Sequence, residues 1–390
     1  MRRIVVNGRF LAQQRTGVQR YGIETLRALD RLLGQRPQLR QRTAWQLAIP
    51  HDARDVPLLE HFEIQTLQFL RGHAWEQVSL AAFARGAYLL NFSYSAPLLK
   101  RDQLITLHDA AVRAQPQTFS LGYRLLNGAM VSMLAERVQT LMTVSRFSAD
   151  ELRRHGLRRD DVVVGREGWE HVAGTPPPDE AALLRQHGLT PGAYLLAVGS
   201  AKASKNFGLI PQALRLLGEA ARWPVVVAGA CDTAIFQRSA GDAALRWLGF
   251  VPDDELQALY RHAAWFIFPS LYEGFGLPAL EALANGCPVL AARAGATPEV
   301  CGDAVLYFDP HDPAALAQLL REVSREPGAA ARRSALLERA AARLSWYRWD
   351  ANAEIVVDRL SAAGAIGPAD DAPVAAPRFD AAPSVSATPR

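Results

Sequence analysis

Short apolar runs of strand length recur along the chain, most of them followed by a turn and a segment with helical periodicity. In the first half they occupy residues 4–7, 88–90, 104–107, 140–144 and 162–164. In the second half they occupy residues 194–198, 225–228, 245–248, 265–268, 289–292 and 305–308. Helical patterns fill several of the gaps, for example over 256–264 and 313–323. A strand buried on both faces reads as a continuous apolar run rather than an alternation. Such runs interleaved with helices predict parallel βαβ units in a doubly wound α/β sheet. Two series predict two such domains. Between them lies Gly174-Thr-Pro-Pro-Pro-Asp179, whose composition interrupts regular structure. The expected organisation is a first domain over 1–173, a linker over 174–190 and a second domain over 191–345. A helix over 346–361, returning toward the first domain, and an Ala/Pro-rich tail over 362–390, expected to be disordered, complete it.

Composition supports this division. A length of 390 residues favours two domains, and 49% apolar with 21% charged residues excludes global disorder. No apolar run approaches the roughly 18 residues of a membrane span, and the apolar stretch in Met-Arg-Arg-Ile-Val-Val-Asn-Gly-Arg is too short for a signal peptide. A cytoplasmic protein is therefore expected. Cys231, Cys287 and Cys301 are too few and too widely spaced for a disulfide framework or a zinc site. The net charge of +4 hides an asymmetry: residues 1–170 carry 24 basic and 16 acidic side chains, net +8, and the remainder is net −4. A basic first half points to an anionic partner such as a membrane surface or acidic lipid carrier, with scattered solvated arginines as the competing reading. No basic run interleaved with aromatics suggests nucleic acid. Of 43 basic residues only Lys100, Lys202 and Lys205 are lysines, and two of these are near neighbours.

Ligands of open parallel sheets bind beyond the carboxyl ends of the strands. Those positions hold Gly8 and the loop to Thr16-Gly17, Asn91-Phe-Ser, His108-Asp109, Ser145-Arg-Phe-Ser148 and Glu167-Gly168 in the first half. In the second half they hold Gly199-Ser200, Lys202, Lys205-Asn206, Gly229, Phe250-Val251, Pro269, Glu273-Gly-Phe-Gly276 and Gly295-Ala-Thr297. Two such edges facing each other would form a cleft. The richest segment follows residue 268. Gly274 and Gly276 permit close backbone approach, Pro278 suits a first helical turn and Gly286 a helix stop. The intervening helix directs its N-terminus at the glycine-rich loop, which suits a phosphate. Glu273 and Glu281 can accept paired hydrogen bonds from vicinal hydroxyls. Hydroxyl acceptors beside phosphate donors are what a nucleotide sugar requires.

Glu273-Gly-Phe-Gly-Leu-Pro-Ala-Leu-Glu281 resembles the E-x7-E motif of the retaining glycosyltransferases of family four, which have the GT-B fold of two Rossmann-like domains facing a cleft. The resemblance covers roughly residues 3–360. It includes residues 194–206, Leu248-Gly-Phe-Val-Pro-Asp-Asp-Glu-Leu256 and Pro298-Glu-Val-Cys-Gly-Asp-Ala304. In the first half it includes Asn7-Gly-Arg-Phe-Leu, Thr16-Gly-Val-Gln-Arg-Tyr21, Thr106-Leu-His-Asp109 and Thr143-Val-Ser-Arg-Phe-Ser148. It implies that Glu273 binds hydroxyls of the donor sugar and Glu281 the ribose hydroxyls. Lys205 binds the diphosphate, with backbone donors from Gly274, Phe275 and Gly276 beside Leu277, and Val251 contacts the base. Gly17 belongs to a loop near the phosphates and acceptor, and His108 sits near the reacting carbon, so that Glu273, Lys205 and His108 are the expected catalytic group. Family members often carry arginine where Ser200 and Ser204 stand here, and Lys202 is a candidate replacement for that charge.

The resemblance implies a donor-binding second domain and an acceptor-binding first domain. Transfer of a mannosyl or rhamnosyl group is slightly favoured, from a nucleotide-diphosphate sugar for which GDP-mannose is one candidate, to a saccharide or lipid-linked saccharide of a surface polysaccharide. No Asp-x-Asp follows a strand, so no metal and no further cofactor is expected. Other GT-B activities, such as nucleotide-sugar epimerisation or sugar-phosphate synthesis, remain alternatives, as does a non-catalytic sugar-nucleotide sensor. A hydrolase built on His108-Asp109 is disfavoured because no Gly-x-Ser-x-Gly elbow is present.

Overall fold

The computed structural model describes residues 2–174, 179–218, 223–229, 245–325 and 329–367. The proline-rich centre of the linker, Cys231 and the tail beyond 367 lie outside the described residues. The first half forms a seven-stranded sheet from β1 (Arg2–Asn7), β2 (Thr43–Pro50), β3 (Glu63–Leu67), β4 (Tyr88–Asn91), β5 (Gln103–Leu107), β6 (Thr140–Thr143) and β7 (Val163–Val164). Its order is β3-β2-β1-β4-β5-β6-β7, and its neighbours pair in parallel. The second half forms a six-stranded parallel sheet from β8 (Leu195–Val198), β9 (Val225–Ala228), β10 (Leu245–Gly249), β11 (Trp265–Phe268), β12 (Val289–Ala292) and β13 (Leu306–Phe308). Its order is β10-β9-β8-β11-β12-β13. In both sheets the strand order reverses beside the first strand, at β1/β4 and β8/β11, and the crevice at such a switch point is where open sheets take ligands.

The apolar runs found in the sequence are β1 and β4 to β13; the interior strands among them are almost all buried, whereas the edge strands β7, β10 and β13 are mostly half-buried. β2 and β3 were not among them. β3, Glu-Ile-Gln-Thr-Leu, sits at the sheet edge with none of it buried, and β2 opens on Thr-Ala-Trp-Gln, whose polar residues at 43 and 46 interrupt an apolar run. The helix Gly17–Gln35 follows β1 and buries Tyr21, Leu26, Leu29 and Leu33. Its start is closed by Thr16, whose N–H donates to Gln19 Oε1 at 3.1 Å.

The helix Trp349–Ala362 belongs by sequence to the second half but packs on Gly17–Gln35 of the first. Asn352 donates to Thr25 Oγ1 at 2.9 Å inside the contact, and Arg31 and Arg36 pair with Asp350 and Glu354 at its margin, at 2.5 and 2.6 Å. The chain stays packed past residue 362, where disorder was expected to begin. Ala365 donates back to Leu360 O, and both Ala365 and Ile366 are buried in a hydrophobic cluster that runs through both halves.

Candidate active site

The helix Leu277–Ala284 follows β11 with Pro278 in its first turn, as the sequence predicted, and with Gly276 as its N-cap. Its N-terminus faces the Glu273–Gly276 loop. Glu273 is held by its own backbone: its carbonyl accepts from Ala296 N–H at 3.0 Å. Its side chain meets Lys205, with Nζ 2.6 Å from Oε1. Lys205 closes the turn Ala203–Lys205 that follows β8, while Lys202 is exposed at the start of that turn and Ser200 accepts from its N–H. The structure thus brings Glu273, Lys205 and the glycine-rich loop together. Phe275 is buried edge-to-face on Tyr347 at 5.4 Å, Leu277 is buried, and Val251 is buried ahead of the helix Asp253–His262.

Glu281 lies on the same helix but looks into a different environment. It is buried. Its Oε1 is 2.9 Å from His171 Nε2 and its Oε2 accepts from Tyr260 OH at 3.2 Å. Burial first, and the neighbouring Glu281 charge second, push the Tyr260 phenol well above its usual range, so it donates as a neutral group. Arg20, in the first turns of the helix Gly17–Gln35, reaches across to Asp253 and lies within electrostatic range of Glu281. Burial opposes the Asp253 charge, but its contact with Arg20 prevails and holds the carboxyl below the ordinary range. Gly17 stands in open space three residues earlier.

The two sheet edges touch. The carbonyl of Gly274 accepts from Ser145 Oγ at 2.5 Å, and the single hydroxyl proton of Ser148 is shared between Gly274 O at 2.9 Å and His108 O at 2.8 Å. Tyr272 OH accepts from Ala110 N–H at 3.1 Å. Glu299, in the short helix Thr297–Cys301, accepts the first N–H groups of the helix Arg146–Arg154, those of Arg146 and Phe147, at 2.9 Å each. A Cβ on Gly274 would lie 2.3 Å from His108 O. Gly274→Ala should therefore push the edges apart and lower stability by about 1–3 kcal/mol, the usual range for overpacking. Thermal melts check this, with Gly17→Ala, which meets no neighbour, as the unaffected control.

His108 lies directly opposite Gly274, but its ring is enclosed. Nε2 is 3.0 Å from Phe92 O and so carries the proton, Nδ1 is 3.8 Å from Glu167 Oε1, and Tyr21 and Tyr94 pack on the faces and edges. Burial raises the Glu167 carboxyl above its normal range, against the pull of His108. Sequence reasoning did not single out Arg20, His171, Tyr260, Glu299 or Trp349. Each reaches the site across tens to hundreds of residues, and local spacing holds no signal for them.

Residues 180–342 match the family described as Glycosyl transferases group 1. The chain is 34% identical over 187 residues to O-antigen chain mannosyltransferase B of Escherichia coli, a match covering 45% of this chain and 49% of that one, so that it spans about half the length of this relative. It is 25% identical over 260 residues to O-antigen chain mannosyltransferase RfbU of Salmonella typhimurium, covering 65% of this chain and 69% of the relative. Among solved structures, Anabaena Alr3699/HepE in complex with UDP and glucose superposes with a TM-score of 0.69 at 17% identity, over 92% of this chain and 99% of that one. WaaG, a glycosyltransferase involved in lipopolysaccharide biosynthesis, superposes with a TM-score of 0.65 at 15% identity, over 91% and 98%. The fold is GT-B.

Proposed function

We propose, from the premise that residues 180–342 belong to the group 1 glycosyl transferases within a GT-B fold, that this chain is a retaining glycosyltransferase. The reading places a nucleotide-diphosphate sugar, GDP-mannose as first candidate, on the second sheet and a saccharide or lipid-linked saccharide of a surface polysaccharide on the first. The observation that carries it is the meeting of Lys205, Glu273 and a glycine-opened helix N-terminus at one sheet edge, pressed against His108 at the other. Lys205 and the N–H groups of the Gly274–Gly276 loop would take the diphosphate, Glu273 the sugar hydroxyls and Glu281 the ribose. Val251 would contact the base, with Ser200, Lys202 and Leu277 lining the donor and Gly17 bordering the phosphates and acceptor.

In the proposed reaction the bond from the anomeric carbon to the diphosphate breaks and the acceptor oxygen bonds to the same face. The acceptor's proton passes to the departing phosphate. No protein nucleophile is needed, and the enclosed His108 ring would orient sugar hydroxyls rather than carry a proton. A thermal-shift screen of nucleotide sugars tests the donor, because a ligand of the folded state raises the melting temperature. Proton NMR of the product tests retention. An inverted product would overturn the mechanism.

Beside Asp109 the first half carries a small pocket of about 70 Å³, lined by Tyr94, Arg113, Ser132, Glu136 and Arg158, and the acceptor would dock over its mouth. One wall is the helix Leu121–Arg137, which turns Leu121, Tyr123, Leu125 and Leu126 to solvent, each at least half exposed. No described helix is long and apolar enough to cross a membrane. An apolar face on a net-basic half suits peripheral contact with an anionic membrane carrying the acceptor. Binding to vesicles with anionic lipid should exceed binding to neutral vesicles and fall with salt. The pair Leu125→Glu and Leu126→Glu should weaken it about tenfold or more, which is about 1.4 kcal/mol. Equal binding to both vesicle types would favour scattered solvated arginines instead.

A further inference from the structure

A chain of three side chains ends on Glu281. Trp349 Nε1 lies 3.1 Å from His171 Nδ1, and His171 Nε2 lies 2.9 Å from Glu281 Oε1. An indole N–H only donates, so Nδ1 must accept and the imidazole proton must sit on Nε2, aimed at the carboxylate. The imidazole is nearly sealed, with 2% of its side chain exposed, and Trp349 is fully buried.

The indole is itself held. Trp349 opens the crossing helix, and its backbone N–H donates to both oxygens of Glu170, at 3.1 and 3.2 Å, while Arg348 Nε donates to the same carboxylate at 2.6 Å. Gly168 lets the two segments meet, since a Cβ there would stand 2.3 Å from Trp349 N. Tyr260 fixes the second oxygen of Glu281. Each carboxylate oxygen has two lone-pair positions, so one on each is taken by the protein and one is left. The remaining pair suits two adjacent hydroxyls.

We propose that His171 and Trp349 are positioning residues of the nucleoside site: the indole selects the imidazole tautomer, and the imidazole locks Glu281 in the orientation that receives a vicinal diol. This rests on the reading above that Glu281 holds the ribose. The property conferred is preference for a ribose bearing both hydroxyls, and it depends on a helix that packs on the opposite half of the molecule.

The test compares GDP and UDP with their 2′,3′-dideoxy counterparts by calorimetric titration into the full chain. Wild type should prefer the diol-bearing nucleotide, and Glu281→Gln should lose most of that preference. Trp349→Phe, which keeps the ring and removes only the N–H, and His171→Phe should each cut the preference about five- to tenfold, by weakening the diol nucleotide and leaving the dideoxy one unchanged. His171→Gln, which can present an N–H toward Glu281, should restore part of it. Nitrogen-15 NMR of His171 should report the Nε2–H tautomer in wild type and a mixture in Trp349→Phe, and this readout holds even if His171→Phe folds poorly. A merely structural role would weaken both nucleotides equally. If Glu281→Gln abolishes the preference and Trp349→Phe and His171→Phe both retain it, with the His171 tautomer unchanged in Trp349→Phe, the inference is overturned and the ribose reading stands. If wild type shows no preference, or binds neither nucleotide, both fall.

Discussion

Lys205→Ala should lower kcat/KM for sugar transfer by about 2–4 kcal/mol, or roughly 30- to 1,000-fold, the range seen when one preorganised group at a developing charge is removed. The leaving diphosphate gains charge as the glycosidic bond breaks, and Lys205 is the cation at the carboxyl end of β8 that the structure seats beside the glycine-rich loop. Its ammonium has three N–H donors, so it can keep Glu273 and still donate to phosphate oxygens. Lys205→Arg should restore little of the rate. A planar guanidinium is longer and differently shaped, and this arginine-rich chain uses lysine at the position. Steady-state kinetics with the donor found by thermal shift decide the matter. Unchanged turnover in Lys205→Ala removes the residue from the mechanism.

The second large effect separates the two glutamates. Loss of a charged acceptor costs about 1.5–3 kcal/mol per hydrogen bond. Glu281→Gln should weaken the bare nucleotide diphosphate and the nucleotide sugar alike, because the ribose is common to both. Glu273→Gln should weaken only the sugar-bearing donor and slow the reaction. The ion pair at 2.6 Å sharpens this expectation. Glu273 offsets the Lys205 charge that the diphosphate would meet, so its neutral replacement leaves that charge whole. Glu273→Gln should therefore bind the bare nucleotide diphosphate as well as wild type or better. Calorimetry with both ligands and both variants checks the pattern. Equal losses for the bare nucleotide, or none at all, would show the assigned roles to be wrong.

The interior strands apart from β2, and the glycine-rich loop after β11, were legible in the sequence because their physics is local. A parallel strand covered on both faces must be apolar throughout, so β4, β11 and β12 announce themselves as Tyr-Leu-Leu, Trp-Phe-Ile-Phe and Val-Leu-Ala-Ala. Gly276, Pro278 and Gly286 mark a helix by conformational rules that act within a few residues. The edge strand β3 has polar residues because water reaches it, and it looks like a loop in one dimension. The pair Lys205–Glu273 joins two motifs that were each readable, but nothing in either shows that they touch. Glu281 was legible as a hydroxyl acceptor, whereas its partners were not. His171 precedes a linker and Trp349 starts a distant helix, and only the folded chain brings the imidazole and indole together.

The helix Trp349–Ala362 has a consequence for how this architecture can be recombined. The family match ends at residue 342, short of Trp349, while the helix that follows lies on Gly17–Gln35 of the other half. Sequence order and structural allegiance therefore part company at about residue 345. A second half transplanted from a relative as everything after the linker would bring a foreign helix to the surface of Gly17–Gln35, with mismatched partners for Thr25, Arg31 and Arg36. Cuts at the two limits of the family match instead leave His171, Trp349 and the last helix with the recipient, so that only Glu281 of that chain of contacts is exchanged. The unit held together by packing is thus discontinuous in sequence: the first half and the last helix stay with one parent, and both junctions fall between the linker and Trp349.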